Sequence, residues 1–226
     1  MSEGGAGMAR VVVGYLHGEF VRAEFAASML ALSHHSRDDI ATIHHVYSGP
    51  NIARVRNELA AWFLLERREP WLLMVDSDMA FAPDALERLL AAADQRHAPI
   101  VGGLCFSQGD DGPLSTMYEL VPHEDGAGTF TRYQQWPEDT LHKVSATGAA
   151  FLLVHRYVFE RVAKGWGRPR KHDPVWPWFR ESAMGTRVMG EDLTFCLRAA
   201  AAGYPIHVHT GVQIGHMKST MLGKVV

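Results

Sequence analysis

The chain holds only 2 cysteines in 226 residues. That is too few for a disulfide framework, and Cys105 and Cys196 each sit in an apolar stretch, where they read as small buried hydrophobes. No apolar run approaches the ~18–20 residues of a membrane span, and no basic-then-apolar leader opens the chain. Charge of one sign is also lacking. Lys plus Arg number 22 against 25 Asp plus Glu, for a formal net charge of -3, so there is no global attraction to nucleic acid or to an anionic membrane. No G-x-G-x-x-G follows the first apolar run, which disfavours a dinucleotide-dependent oxidoreductase. Repeats and low-complexity tracts are missing too. A cytoplasmic globular protein is the expectation.

What is present suits a packed core. Hydrophobic residues make up 47% and charged residues 21%, which fits one domain over 10–226 after a Gly-rich, disordered 1–9. Residues 10–106 alternate between two periods. Short apolar or β-branched runs at 10–15, 40–47, 71–75 and 99–105 read as strands, and helical spacing appears over 20–32, over a stretch capped by Asn51 and running to about 68, and from Pro83 to about 94. In the helix after Asn51 the apolar face is read as Ile52, Val55, Leu59 and Trp62. Alternating strands and helices imply an α/β domain with a mostly parallel central sheet flanked by helices. Residues 107–226 differ. A polar loop at 107–113 precedes shorter strand-like pieces at 114–121, 129–136, 142–146 and 149–154, which suggest a smaller antiparallel or mixed portion. A helix at 157–164, an aperiodic aromatic-rich loop at 165–189, a helix at 191–202 and a final strand at 204–209 follow. A loop of that length is usually a functional lid or binding loop, or disordered, and its aromatics Trp166, Trp176, Trp178 and Phe179 argue against plain disorder.

The chemistry concentrates at strand ends. Asp76-Ser77-Asp78 directly follows the apolar run WLLMV. In open α/β sheets ligands bind beyond the strand C-termini, and two carboxylates at i and i+2 there can share one Mg²⁺ or Mn²⁺ with phosphate oxygens. Glu191 and Asp192 open the late helix, where the helix dipole favours them and where one of them can serve as a general base. His216 follows the final strand as a further ligand for a Mn²⁺-type ion, with His207 and His209 as a rival pair. Arg54, Arg56 and Asn57 begin the second helix, facing phosphate or ribose if that end borders the cleft. Thr147-Gly148-Ala149-Ala150 is a small-residue turn that a sugar can approach closely. The run 155–172 carries Arg156, Arg161, Lys164, Arg168, Arg170 and Lys171 against Glu160, suited to a diphosphate or an anionic acceptor.

In this order the stretches RN (56–57), WLLMVDSDMAF, TGAAFLLVHRYVFE, PWF (177–179), GEDLTFCLRAAAAGYPIHVHT and VQIGH resemble the GT-A glycosyltransferases, particularly small family-2-like members of bacteria and their phages. The resemblance implies a Rossmann-like GT-A fold and a hexosyltransferase acting from a UDP- or GDP-type sugar with Mn²⁺ or Mg²⁺, in the cytoplasm of a bacterial or phage-infected cell. It implies that Gly14 and Tyr15 help seat the base, that Asp76 lies near ribose and metal, and that Asp78 and His216 ligate the cation. Gly148 and Ala149 would line the donor-sugar pocket. Asp192 would be the base of an inverting transfer and Glu191 would position the acceptor. The acceptor stays open among protein, glycan, small molecule and modified nucleic-acid base. Two rivals stand beside this: a nucleotidyltransferase, and a non-catalytic or degenerate nucleotide- or carbohydrate-binding domain.

Overall fold

The runs at 10–15, 71–75 and 99–105 become strands buried on both faces of one sheet, and the run at 40–47 becomes its partly exposed edge strand. The computed structural model describes residues 10–123, 128–165, 176–184 and 187–218. The stretch 1–9 expected to be disordered, Trp166, and the basic residues Arg168, Arg170 and Lys171 lie outside the described residues. In chain order the elements are β1 (Val11–His17), α1 (Ala23–His35), β2 (Ile40–Tyr47), α2 (Ile52–Glu66), β3 (Trp71–Asp76), β4 (Met79–Ala80), α3 (Ala85–Ala92), β5 (Ile100–Gly109), β6 (Gly112–Ser115), β7 (Met117–Pro122), β8 (Gly128–Arg132), β9 (Leu141–Val144), β10 (Ala146–Thr147), β11 (Phe151–His155), α4 (Arg156–Gly165), β12 (Ser182–Met184), β13 (Arg187–Met189), α5 (Glu191–Ala201) and β14 (Ile206–His216).

The fold is α/β with a mostly parallel central sheet in the order β2-β1-β3-β11-β5-β14-β4, with β6 added to β5 and β9 to β14. Strands β2, β1 and β3 run parallel, as do β5 and β14. Side chains alternate across this sheet with the strand period of two. Val12, Leu72 and Met74 pack towards α2, α4 and α5, meeting Phe63, Phe159 and Phe195. Val11, Val13, Leu73 and Val75 pack towards α1 and α3, meeting Phe25, Leu32, Leu86 and Leu89. Among the described residues no helix is long and apolar enough to cross a membrane. Both cysteines are free and buried, and burial pushes the Cys196 thiol up to about 12, which leaves it inert.

Four sequence expectations are corrected. The piece at 149–154, assigned to the antiparallel portion, is β11 and lies antiparallel between β3 and β5 in the middle of the main sheet. All five of its residues are buried, the mark of a central strand with both edges hydrogen-bonded. The polar loop at 107–113 is instead a hairpin, with β5 extending to Gly109 and pairing with β6. The chain then turns at Thr116, whose N–H and hydroxyl both donate to the Cys105 carbonyl, at 3.0 and 3.2 Å. The last strand does not end at 209. It bulges between His209 and Gln213 and continues to His216. Finally, the buried face of α2 comprises Val55, Arg56, Asn57, Leu59, Ala60 and Phe63, while Ile52 is exposed.

Candidate functional site at the carboxyl end of the sheet

Asp76 ends β3, and its backbone N–H donates to the Ala150 carbonyl at 2.9 Å, which ties the turn 147–150 to the strand end. Both carboxylate oxygens of Asp76 accept from Arg56 Nη2, at 3.0 and 2.9 Å. The other arm of the same guanidinium, Nη1, donates to Glu191 Oε1 at 2.5 Å. Arg56 is 4% exposed, so one buried cation joins a carboxylate at the end of β3 to one at the start of α5. Its Nε is buried without a hydrogen-bond partner. A forked guanidinium suits this position because its planar donors can reach two carboxylates at fixed geometry. Burial pushes the Asp76 carboxyl above its ordinary range, opposed by the charge and hydrogen bonds of Arg56.

Asp192 stands beside this network in the first turn of α5, where the helix dipole favours negative charge. Its Oδ1 accepts from the Leu193 N–H at 2.8 Å. Desolvation raises its pKa, against the pull of Arg56 and with the help of neighbouring Glu191. Gly148 packs against it. A methyl group built at Gly148 would lie 3.4 Å from Thr116 Cβ and 3.6 Å from Asp192 Oδ2. Burial, with Asp192 contributing, also raises the pKa of the nearby Tyr118 hydroxyl. Ala149 is buried and belongs to the core on the α2 side.

The second cluster pairs Asp78 with His216. It forms because β14 runs past its bulge to pair with β4, placing Gly215 against Ala80 and His216 against Met79. Met217 N–H closes the turn onto the Asp78 carbonyl at 2.8 Å. His216 Nδ1 lies 2.8 Å from the Phe106 carbonyl and Nε2 lies 2.9 Å from Asp78 Oδ2. The carbonyl can only accept, so Nδ1 carries a proton and, in the neutral ring, Nε2 presents a lone pair to a carboxylate oxygen. Two acceptors at that distance require a proton or a cation between them. An imidazole whose far nitrogen is fixed by a backbone carbonyl is the usual arrangement of a metal-binding histidine. Lys218 Nζ sits 3.6 Å from the same Asp78 oxygen. One imidazole nitrogen and one carboxylate oxygen form a mixed donor pair that leaves most coordination positions of a divalent ion open. Asp76, expected as a third ligand, has both oxygens engaged by Arg56. Among the described residues no group of three or more His, Cys, Asp or Glu side chains is placed to hold a metal ion by itself. That holds for His207 and His209 as well, where, among the described residues, His209 Nδ1 lies 4.0 Å from Asp139 Oδ1.

The remaining site residues scatter. Gly14 faces α2: a Cβ there would meet Leu59 Cδ1 at 2.6 Å, so a larger residue would require the Leu59 side chain to shift. Tyr15 packs on Phe25 at 5.2 Å and on His45 at 5.8 Å, ring to ring, near the end of β1, one residue before the Leu16–Asp76 register pair. Arg54 forms an ion pair with Glu58 on the half-exposed side of α2. Asn57 is buried, and its amide is taken up by the backbone of Phe179, donating to the carbonyl at 2.8 Å and accepting from the N–H at 2.8 Å. It therefore anchors the PWF segment, aided by Trp178 Nε1, which donates to the Phe159 carbonyl at 2.8 Å, and by Phe179 stacked on Phe195 at 4.5 Å. Within the basic run, Arg156 is committed to structure, donating to the Arg67 and Glu69 carbonyls. Sequence reasoning missed the bridging role of Arg56. The available signal was an arginine at a core-facing position of a helix, since Arg is almost never fully buried unless paired.

Comparison with known protein families and with curated protein sequences finds no match. Solved structures do match. A197 from STIV superposes with a TM-score of 0.59 at 15% identity, covering 93% of this chain and 86% of that one. GalNAc-T7, solved with UDP, GalNAc and Mn²⁺, superposes with a TM-score of 0.62 at 9% identity, covering 94% of this chain but 44% of the longer chain. At these identities the likeness is one of fold, and the fold it supports is GT-A-like.

Proposed function

We propose that this chain is a metal-dependent glycosyltransferase that transfers a hexose-type sugar from a UDP- or GDP-type donor to an acceptor hydroxyl with inversion. The observation that carries this is the Asp78–His216 pair, in which a histidine fixed by a backbone carbonyl faces a carboxylate at the carboxyl end of a GT-A-like sheet, an arrangement that a divalent cation can bridge. The fold neighbour solved with UDP, GalNAc and Mn²⁺ supports the donor class.

Asp78 and His216 would hold the ion, which when bound supplies positive charge to a departing diphosphate. Asp76, locked by Arg56, borders the nucleotide and orients towards ribose. Gly148 leaves room for the sugar next to Asp192. The acceptor oxygen forms a bond to the anomeric carbon as the bond from that carbon to the diphosphate oxygen breaks. Asp192 takes the hydroxyl proton, and the electron pair leaves with the nucleoside diphosphate. Glu191, held by Arg56, positions the acceptor.

Asp78→Ala is expected to abolish Mn²⁺-dependent binding of UDP or GDP and donor turnover while the circular dichroism spectrum is preserved. Titration calorimetry with and without Mn²⁺, followed by a donor-hydrolysis assay, measures this. Full activity of the variant in EDTA would sink the proposal. Binding without any turnover, across a panel of nucleotide sugars and acceptors, would favour the non-catalytic alternative. Gly148→Ala tests the sugar pocket independently. Its methyl meets ordinary contact distances, so stability should stay within about 1 kcal/mol, while turnover falls with nucleotide affinity intact. Unchanged turnover would remove Gly148 from the pocket.

A further inference from the structure

The parallel pairing of β1 with the edge strand β2 sets Tyr15 opposite His45 and His17 opposite Tyr47. Their side chains gather on the α1 side of the sheet, where Tyr15 packs on Phe25. The His17 and His45 rings lie 5.2 Å apart, with Tyr15 stacked on His45 at 5.8 Å and Tyr47 edge-on to His17 at 6.1 Å. Neighbouring His44 points the other way and stacks on Trp62 of α2 at 3.8 Å. Neither His17 nor His45 belongs to the proposed sugar-transfer site.

His17 Nδ1 lies 2.6 Å from the Gly18 carbonyl, and its Nε2 lies 3.1 Å from His45 Nδ1. The carbonyl can only accept, so Nδ1 carries a proton and, in the neutral ring, Nε2 points its lone pair at His45. Without an ion, His45 Nδ1–H donates to that lone pair. His45 is exposed, and its Nε2 makes no hydrogen bond among the described residues. Its proton can therefore pass through water to Nε2, which leaves two lone pairs facing one another. A separation of 3.1 Å is close to that of two imidazole nitrogens sharing one ion at about 2.0–2.1 Å each, and the exposed His45 ring is free to adjust. The Gly18 carbonyl on the far nitrogen of His17 is the usual support of a metal-binding imidazole.

We propose that His17 and His45 bind a late first-row divalent ion of the Ni²⁺, Cu²⁺ and Zn²⁺ group, with water in the remaining coordination positions. An all-imidazole pair suits these ions and not Mg²⁺, which prefers oxygen. The ion ties the edge strand β2 to β1, because one ligand comes from each. The site is independent of the sugar-transfer reading and stands or falls without it.

The test uses the full chain, free of any affinity tag and stripped with a chelator. Calorimetric titration with Zn²⁺, Ni²⁺, Mn²⁺ and Mg²⁺ is made on the wild type, His45→Gln, His17→Gln and Asp78→Ala. Zn²⁺ and Ni²⁺ should bind the wild type and Asp78→Ala about tenfold or more tightly than Mn²⁺ binds Asp78→Ala. Either histidine variant should lose one Zn²⁺ per chain. Zn²⁺ should raise the melting temperature of the wild type more than that of either histidine variant, as an ion held only by the folded chain requires. Because His45 is exposed, His45→Gln is expected to fold, and His17→Gln gives an independent second reading. Absence of Zn²⁺ and Ni²⁺ binding overturns the proposal, as does Zn²⁺ binding that persists undiminished in both histidine variants, which would place the ion on other histidines. Loss of Zn²⁺ binding in Asp78→Ala with both histidines present would also overturn it.

Discussion

Asp192→Asn is expected to lower sugar transfer by about 10²–10⁴-fold, the range that a positioned general base contributes, while UDP–Mn²⁺ binding stays near wild type. The two effects separate because Asp192 sits at the start of α5 and the proposed cation site is built from β4 and β14. Asparagine keeps the oxygen that accepts from the Leu193 N–H, so the helix start survives. Stability should not drop and should rise slightly. Burial raises the folded pKa of Asp192, which means that its charged form is disfavoured in the folded state and that removing the charge relieves this at neutral pH. The same shift sets the pH dependence of wild-type turnover. A base must be deprotonated to act, so the rate falls as pH drops through a pKa lying above the ordinary aspartate range. Rates measured from pH 4 to 8 in the wild type, with a thermal melt of the variant, check both points. Undiminished transfer in Asp192→Asn would assign the base elsewhere.

How far the sequence revealed this arrangement depends on whether local pattern or long-range pairing fixed each part. The strands at 40–47 and 71–75 and the helix start at Asn51 were legible because burial period and capping are local signals. The side chain of Asn51 does accept from Arg54 N–H. The position of β11 was not legible. Its residues FLLV are as apolar as those of β3, yet nothing near them in the chain states that they slot between β3 and β5, which are separated from them by up to about eighty residues of sequence. The length of β14 was hidden for a related reason. Thr210 is held at the bulge by the Thr140 and Pro137 backbone, and the polar, Gly-containing stretch around it reads locally as a turn. His216 was therefore picked out by its motif, and only the resumed pairing of β14 explains how it meets Asp78. Asn57 shows the opposite case. A polar residue next to a ligand-facing helix start looks like a contact, but one residue of helical rotation turns it inward to hold Phe179.

Arg56→Met is expected to cost about 3–5 kcal/mol, the penalty for removing one partner from a buried ionic network. For a chain of this size that is roughly a 10 °C fall in melting temperature. Methionine fills similar volume but leaves Asp76, Glu191 and Asp192 clustered without the cation that faces all three, as the Coulombic coupling of Arg56 to each of them indicates. The loss should depend on pH in a definite direction. Without Arg56, which opposes the rise at both, Asp76 and Asp192 have folded pKa values raised further above their unfolded ones. The folded variant then takes up protons that the unfolded chain does not, and its stability recovers as pH falls through those raised values. The wild-type-to-variant gap should accordingly be wide at pH 7.5 and narrow at pH 5.5, by differential scanning calorimetry. Adding Asp76→Asn should return part of the lost stability, because it removes one of the stranded charges, and the double-mutant cycle reads out the Arg56–Asp76 coupling directly. Additive effects, or a gap that ignores pH, would mean that the guanidinium acts by packing alone. On the proposed function, catalysis and stability are joined at this residue. The carboxylates proposed to face a nucleotide and an acceptor repel one another in a site this buried, and Arg56 is what allows the chain to fold with them already assembled.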